Sequence, residues 1–282
     1  MNNTSSGSLI LTVCSTKGGV GKSTLTANLG ALLADAGHKV LLVDTDSQAT
    51  LSHYFPIEEP SKRGIAAFLT EGDIESTVSR TASGCDLIRS DHSLGELQNW
   101  VLHTPDGRVR MKHTLSQINW YDFVLIDTQG AVGPLQDAAV LAADLLLSPI
   151  VPHALSAREF ARGTLAMIER LKPMQYLGAP VGPLYGVIYK MDRTAEASRI
   201  AGEFRKESFA QSRGAIRILE TVVPESVSYR EAATSQLPVH LYEKSRRGVM
   251  RSARDVMVSL VRELFPHVEL NAAIDGAPED GQ

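Results

Sequence analysis

Short runs of apolar residues recur along the chain and alternate with longer segments of helical periodicity. Strands that are apolar on both faces are typical of a parallel sheet with helices packed on each side. The alternation therefore predicts an α/β fold, with a doubly wound, mostly parallel sheet and helices on both faces. The runs interpreted as strands are Leu9 to Val13, Lys39 to Val43, Cys85 to Ile88, Phe123 to Ile126, Asp144 to Ile150, Leu184 to Tyr189 and Ile216 to Val223.

Helical spacing is clearest in three segments. Leu25 to Asp35 follows the first strand, and Ser156 to Leu171 opens with a capping box formed by Ser156 and Glu159. Near the carboxyl terminus, an apolar stripe at helical spacing predicts a helix that docks on the sheet. The stripe consists of Val249, Met250, Ala253, Val256, Met257, Leu260, Val261 and Leu264.

The composition fits one globular domain. The 282 residues are 43% hydrophobic, which is ample for a buried core. We expect a disordered amino terminus over residues 1–8, one domain over residues 9–266, and an acidic, disordered tail over residues 267–282. The formal net charge of -4 argues against a uniformly basic nucleic-acid binder, so any DNA contact must come from a local patch.

The sequence favours a cytoplasmic protein. Nothing at the amino terminus resembles a signal peptide, and the first apolar run is too short to span a membrane. Cys14 and Cys85 have no metal-ligand spacing and fit a reducing compartment.

A glycine-rich segment lies between the first strand and its helix. Glycines let backbone N–H groups turn inward around an anion, the following helix points its positive end there, and Lys22 adds a full charge. Ser23 would place its hydroxyl on Mg²⁺. We predict a phosphate-binding loop rather than the alternative, an empty glycine-rich turn. The segment reads Thr16-Lys17-Gly18-Gly19-Val20-Gly21-Lys22-Ser23-Thr24.

Carboxylates follow two of the predicted strands. Asp44 and Asp46 come after the second strand at i and i+2 and so point to the same side. Asp127 ends the strand that begins at Tyr121, as in a Walker B motif. The carboxyl ends of parallel strands are where α/β sheets bind ligands, so these groups can serve Mg²⁺ and water. The alternatives are an ordinary polar loop and a capping aspartate.

These motifs, in this order, resemble those of the ParA/Soj/MinD ATPases, whose phosphate loop is a deviant Walker A. The resemblance covers about Leu9 to Phe265. It implies a P-loop NTPase fold, ATP and Mg²⁺ as cofactors, and slow, partner-stimulated hydrolysis of ATP to ADP and phosphate. It rests on KGGVGKST, DTDSQ and LID, and more loosely on VVPESVSYREAATSQLPVHLYEKSRRG.

The resemblance also implies roles for single residues. Lys17 corresponds to the family's signature lysine, which reaches the partner's nucleotide in an ATP-dependent homodimer. Such a cation stabilises charge on the transferred phosphoryl group, an effect worth about 10³ to 10⁵ in rate in GTPases. The other implied roles are Lys22 on the β and γ phosphates, Ser23 and Asp127 on the metal, Asp44 in support of the metal, and Asp46 on the attacking water.

Two departures from the family pattern concern loops at the predicted site. The family usually follows the Walker B aspartate with a proline-containing switch, but here the segment is Thr128-Gln129-Gly130-Ala131. The strand that ends near Tyr189 continues as Lys190-Met191-Asp192, which could be related to the guanine-binding NKxD motif. Because Tyr189 replaces the asparagine and the family lines its adenine pocket here, we favour adenine, with Asp192 and Pro224 as nucleotide contacts.

Basic residues cluster near the predicted last helix. Between Glu243 and Arg262 there are six basic and two acidic residues. A solvated helix face is one interpretation, and a patch that binds the phosphate backbone of DNA is the other. The family binds DNA nonspecifically through basic residues in this region. The candidate DNA contacts are Arg230, Lys244, Arg246, Arg247, Arg251 and Arg254.

The resemblance implies a DNA-partitioning ATPase. Such a protein dimerises on ATP, binds nonspecific DNA on the nucleoid, and is stimulated by a ParB-like partner. The alternatives are a MinD-like ATPase that positions membrane or cargo components, and a P-loop metabolic enzyme that acts on a small molecule. The acidic end of the chain, from Gly276 to Gln282, lacks the basic amphipathic helix of a MinD-like anchor, so we expect no membrane binding.

Overall fold

The computed structural model describes residues 7–93, 95–152, 160–192, 194–211, 216–245, 251–271 and 274. Within these ranges nine strands form one sheet in the order β3-β4-β5-β2-β6-β1-β7-β8-β9. The β3–β4 and β4–β5 pairs are antiparallel and the other pairs are parallel. The strands are β1 Leu9–Val13, β2 Val40–Asp44, β3 Ile57–Glu59, β4 Val78–Thr81, β5 Asp86–Ile88, β6 Phe123–Asp127, β7 Leu145–Ile150, β8 Leu184–Met191 and β9 Ile216–Pro224.

Helices connect the strands. The α-helices are α1 Lys22–Asp35, α2 Ile65–Glu71, α3 Glu96–His103, α4 Gly107–Leu115, α5 Pro134–Ala142, α6 Ala166–Leu171, α7 Ala195–Gln211, α8 Val227–Thr234, α9 Val239–Tyr242 and α10 Ala253–Leu264. Shorter turns are the 3₁₀ segments Leu51–His53 and Lys172–Leu177 and a π-helical segment, Phe160–Leu165. No helix among the described residues has the length and apolarity needed to cross a membrane.

The core lies on both faces of the sheet because the central strands are apolar on both sides. In β6, Leu125 packs on one face with residues of α1, α8, α9 and α10. Its neighbours Val124 and Ile126 pack on the other face with residues of α2 to α5. A third cluster joins β7, β8 and β9 to α6 and α7. The predicted doubly wound α/β fold is confirmed.

Two predicted helices differ from the structure in detail. Within the segment predicted as one helix from Ser156 to Leu171, the described part begins with the π-helical segment Phe160–Leu165 and becomes α-helical only at Ala166. The capping pair Ser156 and Glu159 lies outside the described residues. The last helix begins at Ala253, where Ser252 forms a capping box with Asp255, while Val249 and Met250 of the predicted stripe lie outside the described residues.

Some described residues beyond the predicted domain end contact the core. Part of the segment predicted as a disordered tail packs on the fold: Val268 and Leu270 lie against the core and Ile274 is buried. The Asn271 amide also donates to the Asp35 carbonyl at 2.7 Å. Apolar side chains and a backbone contact therefore hold residues that composition alone assigned to the tail.

Candidate nucleotide-binding site

A cavity of about 950 Å³ lies at the carboxyl edge of the sheet. Two hydroxyls tie the ends of the central strands β1, β2 and β6. Thr45 Oγ1 donates to the Asp127 carbonyl at 2.7 Å, and Thr128 Oγ1 donates to the Val13 carbonyl at 2.9 Å. The loops that line the cavity therefore start from strand ends held in fixed register.

The loop between β1 and α1 has a backbone suited to phosphate. Gly21 caps α1 with φ 93°, and a Cβ at this position would lie 2.1 Å from Cε1 of Tyr189. Glycine meets both constraints because it tolerates positive φ and has no side chain. Val20 is buried and anchors the loop. The predicted loop residues that line the cavity are Gly18, Gly19, Gly21, Lys22, Ser23 and Thr24.

The first residues of α1 face the same space. Their N–H groups have no partners within the helix, and the positive end of the helix dipole adds to their attraction for an anion. Lys22 is buried, and its Nζ donates to the Lys17 carbonyl at 3.3 Å. Burial lowers the pKa of Lys22, whereas the carboxylates of Asp127 and Asp46 act in the opposite direction.

Asp127, at the end of β6, is completely buried. Among the described residues neither of its carboxylate oxygens has a hydrogen-bond partner. Burial, followed by the neighbouring Asp44, raises the pKa of Asp127 well above its usual value, while the nearby Ser23 and Lys22 lower it. A buried carboxylate that accepts no hydrogen bond is energetically unfavourable until a bound ligand supplies a partner.

The arrangement fits a magnesium ion. Mg²⁺ prefers oxygen ligands and keeps several waters, and it is commonly held by one or two protein groups together with substrate phosphates. The Ser23 hydroxyl and the unpartnered Asp127 carboxylate are the groups that would hold it here. Among the described residues, no three His, Cys, Asp or Glu side chains converge in a metal-binding arrangement.

The loop after β2 is organised by Asp44. One oxygen of its carboxylate accepts hydrogen bonds from the Ser52 N–H and hydroxyl, both at 2.7 Å, and the other accepts from the Asp46 N–H at 3.0 Å. In this geometry Asp44 holds the loop, and its predicted support of the metal stays a prediction. Asp46 is half-buried and lines the cavity, and its predicted action on the attacking water stays a prediction.

The loop after β6 contacts the phosphate loop directly. A Cβ at Gly130 would lie 2.6 Å from Cα of Gly18, so the two backbones can approach only because position 130 has no side chain. Gln129 and Gly130 both line the cavity. The sequence indicated a loop without proline at this place, but it gave no sign of this contact.

On the opposite wall, the end of β8 meets α8. Tyr189 and Tyr229 are buried, with ring centroids 6.5 Å apart. Pro224 lines the cavity as predicted. Asp192 is not among the described lining residues. Its Oδ1 accepts hydrogen bonds from the Thr194 N–H at 3.0 Å and the Thr194 hydroxyl at 2.6 Å, immediately before α7.

Lys17, which is predicted to reach the partner's nucleotide, and the candidate DNA contacts lie in different parts of the molecule. The Lys17 side chain is exposed and contributes to a small cavity with Thr16 and Phe160 rather than to the main one. Arg230 is exposed and lines the nucleotide cavity. Outside that cavity, Lys244 and Arg251 are exposed and Arg254 is half-buried. Arg246 and Arg247 lie outside the described residues.

Comparison with known proteins shows the family of this chain. A family model described as an AAA domain matches residues 8–175, more than half of the chain. The sporulation initiation inhibitor protein Soj of Bacillus subtilis (strain 168) is 27% identical over 263 residues, covering 90% of this chain and 97% of Soj. The chromosome partitioning protein ParA of Caulobacter vibrioides (strain NA1000 / CB15N) is 27% identical over 259 residues, covering 88% of this chain and 93% of that ParA. The chain belongs to the ParA/MinD family of ATPases.

Solved structures place this ParA/MinD-family ATPase in the same fold group. Apo McdA from Cyanothece has a TM-score of 0.70 at 25% identity, covering 83% of this chain and 92% of McdA. The ATP complex of a McdA variant has a TM-score of 0.70 at 24% identity, covering 86% of this chain and 99% of that chain. The relatives are partitioning and positioning proteins, and at this level the chain is a ParA-family positioning ATPase.

Proposed function

We propose that this chain is a DNA-partitioning ATPase that binds ATP and Mg²⁺, closes as a homodimer and binds DNA nonspecifically. The observation that carries the proposal is the buried, unpartnered Asp127 carboxylate beside Lys22 and Ser23, in a cavity large enough for a nucleotide. The Cyanothece McdA variant solved with ATP supports the choice of nucleotide, and the chromosome partitioning role of the Caulobacter ParA supports the choice of function.

The residues of this chain divide the chemistry among them. The Lys22 ammonium would exchange the Lys17 carbonyl for the β and γ phosphates, and the Ser23 hydroxyl and Asp127 would hold Mg²⁺. When bound, the ion neutralises charge on the phosphate oxygens. Asp46 would orient the attacking water from the cavity wall. Lys17, exposed at the outer side of the loop, would reach the nucleotide of the partner subunit.

The proposed DNA surface lies outside the nucleotide cavity. Exposed Lys244 and Arg251 flank the start of α10 and would contact phosphates, with Arg254 beside them. Two chains in a dimer would bring two such patches to one DNA, so binding would rest on local positive charge although each chain has a net charge of -4. A ParB-like centromere-binding protein would stimulate hydrolysis, and the protein would associate with the nucleoid in the cytoplasm.

A second candidate function is the positioning of a protein cargo. McdA structures share the fold along most of the chain, and a carboxysome-distribution relative from Synechococcus elongatus (strain ATCC 33912 / PCC 7942 / FACHB-805) is 28% identical over 188 residues. In this alternative the ATPase cycle and the dimer are the same, but the stimulating partner is an adaptor on the cargo.

The test is binding to nonspecific duplex DNA with Mg²⁺ and either ATP or ADP, across a salt series. We expect ATP-dependent binding whose log–log salt slope is about -0.9 per phosphate contacted. Arg251→Ala should make the slope less steep by about one contact, while Arg199→Ala, on the exposed face of α7, should not change it. Absence of DNA binding with either nucleotide would contradict the proposal and favour the cargo alternative.

A further inference from the structure

Lys190 is the extra residue of a bulge at the end of β8. Its neighbour Tyr189 pairs with Val223, and Met191 pairs with Pro224, the very next residue of β9. Lys190 thus has no opposite residue in the ladder. Its φ of 55° lies in the left-handed region, which a residue with a Cβ adopts only at a cost of about 1 kcal/mol or more.

The bulge directs the lysine toward the phosphate loop. Bulges beside active sites commonly re-aim a side chain that regular alternation would send elsewhere. Here Lys190 lines the nucleotide cavity, and its Nζ donates to the Gly19 carbonyl at 3.3 Å. Among the described residues this ammonium forms no ion pair with a carboxylate, so its charge is not neutralised.

This contact acts on the peptide bond that joins Gly19 to Val20. In a planar trans peptide the carbonyl and the following N–H point in opposite directions. Gly19 has a φ of 71°, and a glycine restricts the orientation of the adjoining peptide less than any other residue does. A cation that holds the Gly19 carbonyl therefore also fixes the direction of the Val20 N–H within a loop whose N–H groups bind phosphate.

We propose that Lys190 is a positioning residue for nucleoside di- and triphosphates: it fixes the Gly19–Val20 peptide and adds a positive charge at the cavity wall. This inference rests on the proposed nucleotide site. A glycine would adopt this φ at lower cost, but it could not make the contact with the Gly19 carbonyl. The contact should matter for the β-phosphate held by the loop and little for a nucleoside monophosphate.

The experiment compares ADP and AMP binding to the full chain by isothermal titration calorimetry with Mg²⁺. Lys190→Met removes the charge and keeps the aliphatic stem, and Lys190→Arg keeps the cation. Lys190→Gly removes the side chain and relieves the backbone strain. The matched control is Lys206→Met, an exposed lysine on α7 away from the cavity.

We expect Lys190→Met and Lys190→Gly to weaken ADP binding about tenfold, the lower end of what a hydrogen bond from a charged group contributes. AMP binding should change less than twofold, and Lys190→Arg should recover most of the ADP affinity. Lys190→Gly should not lower Tm, because relief of strain offsets the lost contact. A residue with only a structural role would lower Tm and leave the ADP-to-AMP ratio unchanged.

Two outcomes would overturn the inference, and they are distinguishable from failure of the proposed function. ADP affinity within twofold of the wild type for Lys190→Met would show that the lysine does not position the loop. Equal losses for ADP and AMP would show that it acts on the nucleoside instead. If the wild-type chain bound neither ATP nor ADP, the proposed function itself would be wrong.

Discussion

At the residue scale, the site is defined by charges that the fold keeps from water. Asp127 and Asp44 are buried close together, and Lys22 is buried beside them. Asp44 has three hydrogen-bond donors, while Asp127 has none among the described residues. We therefore propose different roles for the two carboxylates: Asp44 holds a loop, and Asp127 binds a ligand. Such an unfavourable group is typical of a site at which stability is given up for function.

Asp127→Asn tests this division. Removing the buried charge should stabilise the nucleotide-free protein by roughly 1 kcal/mol at pH 8, because an unpaired carboxylate carries a large desolvation penalty. The sign follows from the raised pKa of Asp127. In the wild type, the free energy of unfolding decreases as the pH rises from the unfolded-state pKa of 3.8 through the higher pKa of the folded state. The variant should lose that part of the pH dependence and also lose Mg²⁺-dependent ATP hydrolysis.

The measurement is thermal unfolding between pH 5 and pH 8 without nucleotide, with ATPase activity measured in parallel. Asp122→Asn is the control, since Asp122 is exposed and lies at the other end of β6. A variant that is less stable than the wild type at pH 8, or that hydrolyses ATP normally, would contradict the role given to Asp127.

At the element scale, β9 is an edge strand whose outer side is covered by side chains. Arg205 of α7 donates to the carbonyls of Leu219 and Glu220, both at 3.0 Å. Glu263 of α10 accepts from the N–H groups of Glu220 and Thr221, at 2.7 and 2.9 Å. These contacts lie at a bulge where β9 departs from its register with β8. An uncovered edge of nine residues would be a template for pairing with another chain.

Arg205→Ala should destabilise the fold and promote self-association. We expect a loss of about 1 kcal/mol, because a charged donor to two backbone carbonyls is removed at a half-buried position. Differential scanning calorimetry and light scattering during heating would measure both effects. Arg199→Ala on the same helix removes an exposed pair with Glu203 and should change stability by less than about 0.5 kcal/mol. Equal effects of the two substitutions would show that the edge needs no such cover.

The start of α10 depends on one serine. Ser252 accepts a hydrogen bond from the Asp255 N–H at 3.1 Å, and the Asp255 side chain accepts from the Ser252 N–H at 3.1 Å. Ser252→Ala should cost about 1 kcal/mol of unfolding free energy in urea titrations, a usual value for an N-cap. Ser198→Ala, at an exposed position inside α7, should be neutral or slightly stabilising. A neutral Ser252→Ala would mean that packing alone sets the start of the helix.

At the scale of the whole molecule, buried polar contacts connect the nucleotide loop to distant parts of the chain. Asn28 of α1 donates to the Thr24 carbonyl and to the Tyr54 hydroxyl, and its own carbonyl accepts from the Val239 N–H at 2.7 Å. One side chain thus joins the helix after the phosphate loop to the segment after β2 and to α9. Movement of the loop on nucleotide binding would be transmitted through Asn28 to the carboxyl-terminal helices.

Lys17→Ala tests the proposed dimer. Because Lys17 is exposed and lines no part of the main cavity, the variant should keep ATP binding within a few-fold of the wild type. It should lose ATP-dependent dimerisation, measured by sedimentation velocity, and with it the hydrolysis stimulated by partner and DNA. Lys62→Ala, an exposed lysine in another part of the chain, is the control. An unchanged stimulated ATPase rate would remove Lys17 from the mechanism.

The central architecture and the nucleotide loop could be predicted from the amino-acid sequence alone. Both depend on residues that are adjacent in the sequence. The strands are apolar runs typical of buried strands, and the loop consists of glycines next to a lysine between a strand and a helix. The first strand has the bounds that were predicted for it. The strand predicted to end at Tyr189 continues to Met191. For the same reason Lys22 and Asp127 could be predicted as site residues from their neighbours alone.

Features that depend on residues distant in the chain could be seen only in the folded molecule. The antiparallel strands β3 and β4 are short and partly exposed, so no local pattern marked them. Three features of the site depend on pairing and packing between separate segments. They are the hydrogen bond from Ser52 to Asp44, the close approach of Gly130 to Gly18, and the bulge that turns Lys190 toward Gly19. Periodicity reports which face of an element is buried, but only the assembled sheet sets register, and register decides which side chains meet.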